Sequence, residues 1–270
     1  MSTLLNTEAD RELLNAAVTA VRAAGAHLRE RFVPSTELDD LAAVLAAIRA
    51  TDAESLPFLR EPLLAARPGA RRIDDEGAAG DLPAGEWWAA DPVEGNINYI
   101  HGMADWAVTA TLVRDNQPVL TAVHLPLLDE TFTAVRAGGA FRNGVPLHTS
   151  AKTQLDAALV GTGQAKPGED RNTFRRIGES VTAMLDAALV TKVSVPATLQ
   201  LIQVAAGRSD VFWQYSDVRA GLLPGALLVS EAGGTVTDMH GNPWQLSSPD
   251  FLAAAPGVHA AAQHVLAAIH

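Results

Sequence analysis

The stretch from Trp106 to Gly144 narrows the fold class of this chain more than any other. Trp106 to Val113 is β-prone, Asp115-Asn116-Gln117 can reverse it, and Val119 to His124 completes a hairpin. Thr131 to Val135 adds a strand, and Gly138-Gly139 and Asn143-Gly144 supply further turns. A sheet therefore occupies the middle of the chain. Helices precede it. Thr7 followed by Asp10 resembles a capping box with a shorter acid, and Leu14, Val18, Val21, Leu28 and Phe32 recur at helical spacing. A second helix is expected through Leu41 to Ile48, with Pro57, Pro62, Pro68 and Gly69 breaking the next stretch into short pieces. After about residue 150 the pattern alternates: strand Ala158 to Gly161, helix Phe174 to Leu185, helix Leu199 to Ala206, strand Val211 to Trp213, helix Leu222 to Ala232, strand Thr235 to Asp238. The expectation is an α/β protein with an α+β half over residues 1–150 and an α/β half over 151–270, forming one two-lobed unit.

A chain of 270 residues that is 48% hydrophobic and 19% charged can bury a substantial core. Its formal charge of -11, with no Lys/Arg stripe, argues against nucleic acid as a partner, whereas a small phosphorylated ligand stays compatible if carboxylates hold a cation. Cysteine is absent, which removes disulfides, thiolate nucleophiles and sulfur-ligated metals together. No signal-peptide core and no apolar run of spanning length is present, so a cytoplasmic location without membrane contact is expected. The eight histidines form no close helical pair; His259, His264 and His270 read as a solvated tail. Gly161-Thr162-Gly163 lacks the spacing of a phosphate-binding loop and reads as a turn after a strand. Trp87, Trp88 and Trp106 read mainly as core.

The most informative string runs from Trp88 to Gly102. Asp91 and Glu94 stand three residues apart around Pro92 and ahead of Gly95. Pro92 fixes its own φ and Gly95 permits a tight turn, so the two carboxylates and the Val93 carbonyl can converge on a hard cation such as magnesium, with manganese as an alternative. Amides after Gly95 can face a phosphate if a helix begins there. Taken alone, the same string also describes a plain surface turn.

Asp91 to Tyr99 with His101-Gly102 resembles the signature of the inositol monophosphatase family. The likeness continues through Ala107-Val108-Thr109, Pro126 to Glu130 and Gly138 to Leu147. It extends to Val204 to Arg208 and Leu227 to Gly234, so that matched blocks span about two thirds of the chain. The resemblance implies the layered αβαβα sandwich shared with fructose-1,6-bisphosphatase, a magnesium-dependent phosphomonoesterase, a small phosphorylated metabolite as substrate, and a homodimer.

Carried over residue by residue, Asp91 matches a bridging metal ligand and Val93 a backbone ligand. Asp75, in Asp74-Asp75-Glu76, stands in for an upstream acidic ligand or forms a solvated turn. Glu94 replaces an Asp, adding one methylene. Asn96 occupies the place of a Thr whose hydroxyl works with an upstream Asp, here Asp52. An amide has no labile hydroxyl, so Asn96 can orient a water or a phosphate oxygen but cannot relay a proton, while Asp52 either supports it or caps a helix. Near the C-terminus a Trp-Asp pair becomes Ala220-Gly221, with Asp217 four residues before Gly221 as the possible replacement. A Gly-Ser-Ala substrate loop becomes Val195-Pro196-Ala197, and an acidic contact becomes Gln214. The substrate-facing set is therefore Gly95, Asn96, Asp217 and Gly221, and the catalytic pair Asp52 and Asn96. The residues are compatible with two functions: a phosphatase with an altered site, or a family member that has lost hydrolysis and serves as a binding protein or catalyses another reaction.

Overall fold

The computed structural model describes residues 7–35, 38–73, 80–164, 168–215 and 219–269. Two long helices come first, α1 (Thr7–Glu30) and α2 (Leu41–Ala66). α1 buries Leu13, Ala17, Ala20, Val21, Ala24 and Leu28, the stripe that period 3.6 demands. Asp10 does not act as a capping acid. Its carboxylate is buried in an ion pair with Arg114 (Oδ1 to Nη2, 2.8 Å), which also holds Glu86 (2.8 Å).

α2 continues through Pro57 and Pro62, contrary to the expected break. Each proline removes the hydrogen bond to the carbonyl four residues earlier. Here Pro57, Pro62 and the residues bearing those carbonyls, Ala53 and Phe58, all lie on the exposed face, where water can satisfy the freed oxygens. Ser55, Leu59 and Leu63 remain buried on the opposite face and hold the helix to the sheet. Asp40, through its side chain, caps the helix at Ala43 N (2.8 Å).

Strands β1 (Arg71–Arg72), β2 (Glu86–Glu94), β3 (Ala107–Arg114), β4 (Gln117–Leu125), β5 (Glu130–Val135), β6 (Gly139–Arg142) and β7 (Val145–Pro146) form one sheet in sequence order, antiparallel except for the β1–β2 pair. The short helix α3 (Asn96–Ile100) leaves β2. The expected hairpin is present: Asp115 and Asn116 both take positive φ (48° and 63°), the geometry of a two-residue turn that matches strand twist.

The second sheet has the order β11-β12-β10-β8-β9. It comprises β8 (Leu159–Thr162), β9 (Val190–Val193), β10 (Val211–Gln214), β11 (Thr235–Thr237) and β12 (Phe251–Ala254). β8 runs parallel to β9 and β10, and β12 antiparallel to β10 and β11. The accompanying helices are α4 (Arg171–Ala187), α5 (Ala197–Ala205), α6 (Arg219–Glu231) and α7 (Pro256–Leu266). α1 and α2 cover one face of the first sheet, α5 and α6 lie between the sheets, and α4 and α7 cover the far face of the second. The result is the expected αβαβα sandwich.

β9, β12 and α7 are elements that the sequence pattern did not announce. The C-terminal segment is an ordered helix, not a solvated tail: Val258, His259, Ala262 and Leu266 are buried, and His259 Nε2 meets Thr237 Oγ1 at 2.9 Å. His264 is exposed, as expected, and His270 lies outside the described residues. Trp88 and Trp106 are core residues at 1% exposure, while Trp87 is half-buried beneath Arg71. Thr162 lies within β8, so only Gly163 of the Gly-Thr-Gly string comes after the strand. Among the described residues no helix is long and apolar enough to cross a membrane.

Candidate active site

The Asp91–Gly95 segment ends β2 and turns it into α3. Asp91 pairs with Thr109 and Glu94 with Ala107, so two residues on β2 face one on β3 between these pairs. The extra residue accommodates Pro92, which cannot donate to a ladder. In a regular strand residues three apart face opposite sides; the bulge resets the alternation and turns Asp91 and Glu94 toward one another. Gly95 then takes φ 93°, and its carbonyl accepts from Asn98 N (2.9 Å) and Tyr99 N (3.1 Å), starting α3. A Cβ at Gly95 would stand 2.8 Å from Asp105 O and 3.1 Å from Pro196 Cγ, so both conformation and space require glycine.

Asp91 Oδ1 accepts from Val93 N at 2.8 Å. Its carboxyl is enclosed although the residue as a whole is partly exposed. Burial above all, and then the adjoining Glu94 and the charge of Asp52, push Asp91 well above the usual carboxylate range. Asp52 lies within α2 rather than capping a helix, and its Oδ1 accepts from Asn96 Nδ2 at 2.9 Å. Burial raises the Asp52 carboxyl, and the Asn96 hydrogen bond opposes that rise. Asn96 Oδ1 is buried without a hydrogen-bond partner among the described residues.

Residues from the second half close the opposite side. The Val195–Pro196 peptide is cis, and Asn98 Nδ2 donates both to Val195 O (2.9 Å) and to Asp105 O (2.7 Å), joining the motif to the segment that begins α5. Thr198 Oγ1 donates to Gly221 O at 2.7 Å and so ties α5 to the first turn of α6. Gly221 faces the Glu94 carboxylate: a Cβ built there would lie 3.4 Å from Oε1. Gln214 is buried, donates to Gln164 O (3.1 Å) and leaves Oε1, beside Gly163, without a hydrogen-bond partner among the described residues. Asn98 and Thr198 are contributions that sequence reasoning missed. Asn98 lay inside the quoted string, but its partners come from other segments; Thr198 carried no signal at all.

The described structure thus gathers Asp52, Asp91, Val93, Glu94, Gly95, Asn96 and Gly221. Asp75 and Asp217 lie outside the described residues. Among the described residues no three His, Cys, Asp or Glu side chains form a ready cation cage. A family model, the Inositol monophosphatase family, matches residues 9–270. The chain belongs to the inositol monophosphatase family. It is 33% identical over 231 residues to an inositol-1-monophosphatase of Rhizobium meliloti, spanning 85% of this chain and 86% of that protein. It is 30% identical over 195 residues to a putative Nus factor SuhB of Neisseria meningitidis, spanning 72% and 74% of the two chains. The solved inositol monophosphatase from Anabaena superposes with a TM-score of 0.80 at 25% identity, covering 96% of this chain and 97% of that one. Membership sets a phosphatase function at the level of the family.

Proposed function

We propose that this protein is a magnesium-dependent phosphomonoesterase acting on a small phosphorylated metabolite through an altered inositol monophosphatase site. The observation that carries the reading is the enclosed Asp91 carboxyl, crowded by Glu94 and Asp52 at the β2–α3 corner. Like charges held together in this way are relieved by a cation, and an oxygen-only donor set suits magnesium or manganese. Asp91, Glu94 and the Val93 carbonyl would hold the cation, with Asp75 as a further ligand. When bound, the cation supplies charge neutralisation for the phosphoryl group.

The remaining work falls to the chain's own groups. Ionised Asp52 only accepts hydrogen bonds, so the Asn96 amide must present Nδ2 to it and turn Oδ1 toward the site. A carbonyl oxygen accepts from water and repels a phosphate oxygen. Asn96 therefore orients the attacking water, and Asp52 fixes the amide that does so. The backbone of Gly95 and Asn96 would meet the phosphate from one side, with Asp217 and Gly221 bordering the substrate on the other. A cytoplasmic homodimer belongs to the same reading: the resemblance supports the dimer, and the cysteine-free composition fits the location.

The test is phosphate release from a broad panel of small phosphate monoesters. Release that requires magnesium or manganese and disappears in Asp91→Asn supports the proposal; no release from any ester with either cation ends it. That second outcome would favour a binding role without hydrolysis. One observation gives this alternative standing: Gly221 stands where the family pattern carries a carboxylate, and no cage of three acids forms among the described residues.

A further inference from the structure

Gly221 is the first-turn residue of α6 that faces the motif, and its surroundings are specific. Among the described residues other than its chain neighbours, the three heavy atoms nearest to a Cβ built there all belong to one side chain: Glu94 Oε1 at 3.4 Å, Oε2 at 3.7 Å and Cδ at 3.9 Å. Glu94 is 7% exposed and leaves the first sheet at the end of β2, whereas Gly221 belongs to the helix between the sheets. The carboxylate therefore reaches across the cleft and lies in ordinary van der Waals contact with the place where a side chain on Gly221 would begin. Both ends of this span are pinned. Glu94 sits beyond the β2 bulge and before the left-handed Gly95; Gly221 O is held by Thr198 Oγ1.

We infer that Glu94 and Gly221 form a compensating pair, in which the longer acid on β2 delivers across the cleft the carboxylate that α6 does not carry. The inference rests on the cation-dependent function proposed for this site. It gives the glutamate's additional methylene a purpose: an aspartate at 94 would withdraw its oxygens from α6, and an acid at 221, extending beyond the Cβ that fits there, would bring its oxygens against those of the glutamate. Acid length at 94 and side-chain size at 221 are thus one variable, and changing either alone unbalances the site. Two carboxylates placed against one another there would also repel, as Asp91 and Glu94 already do.

The experiment is a double-mutant cycle on the full chain, read by direct titration of Mn2+ into cation-free protein and by thermal unfolding without cation. Glu94→Asp is expected to weaken Mn2+ binding roughly tenfold or more, as an interaction between coupled groups of about 1.4 kcal/mol would. Adding Gly221→Asp to that variant should restore affinity to within about threefold of the wild type, whereas Gly221→Asp alone should not tighten the wild type. In cation-free protein Gly221→Asp should lower the melting temperature by about 2–4 °C beside Glu94 and by less beside Glu94→Gln. Gly221→Asn separates size from charge. If Gly221→Asp changes Mn2+ affinity by the same factor in both backgrounds, and the melting shifts add, the pairing is wrong. Absence of Mn2+ binding in the wild type itself removes the cation reading instead, and with it this inference, so the two failures are distinguishable.

Discussion

The two walls of the site are built in opposite ways. The β2–α3 wall concentrates polar and acidic groups: Asp91, Glu94 and Asn96 within six residues, with Asp52 arriving from α2 behind them. The facing wall, Val195 to Thr198 and Gly221, contributes a cis proline peptide, a hydroxyl clamp and a bare glycine. In the proposed function the first wall carries the chemistry and the second sets its position. Changes on the first should remove activity and leave the fold; changes on the second should loosen the fold and move activity only through geometry.

The sharpest break of that contrast is Asp91→Asn. Phosphate release should fall on the order of 10³-fold or more, as for one member of a cooperating set. Melting of the cation-free protein should hold or rise, since an enclosed charge crowded by Glu94 has been removed. Gly95→Ala comes next and should harm both fold and activity. Left-handed φ and the 2.8 Å contact with Asp105 O together should cost about 2 kcal/mol or more, read by denaturant unfolding. Asn98→Ala tests the stitch between the walls: two part-buried hydrogen bonds are lost, and stability should drop by about 1–3 kcal/mol, with KM rising more than kcat falls. Thr198→Val keeps shape and removes the bond to Gly221 O, for about 1 kcal/mol.

The smallest effect calibrates the rest. Burial holds His259 on α7 below its ordinary pKa. The unfolded chain takes up a proton below about pH 6.5 that the folded chain refuses, so stability falls as the pH drops through that value. His259→Gln should flatten the decline of melting temperature between about pH 7 and pH 5 without changing phosphate release. An effect of this substitution on activity would show that the separation into two walls is too simple.

How far the sequence could be read depends on the range of the interactions involved. Hairpin β3–β4 was legible because Asp115-Asn116 decides it locally. The continuation of α2 through Pro57 and Pro62 was not legible, because it depends on which face meets water and on burial of Leu59 and Leu63 against the sheet. α7 was overlooked because an alanine- and histidine-rich segment has no marked stripe until Thr237 and the second sheet supply a surface for it. In the site, the string Asp91 to Asn96 announced its donors, since their types and spacing are written consecutively.

By itself, then, the sequence determined the central β3–β4 hairpin, the helix before it and the string of oxygen-bearing residues from Asp91 to Asn96. Only the tertiary structure decided that a bulge turns Asp91 toward Glu94, that Asp52 orients the Asn96 amide, and that the Glu94 carboxylate lies over Gly221. The physical reason is distance along the chain. Donor identity and turn chemistry are local, whereas the approach of Asp52 to Asn96 and of the Glu94 carboxylate to Gly221 arises between segments that meet only in the folded chain.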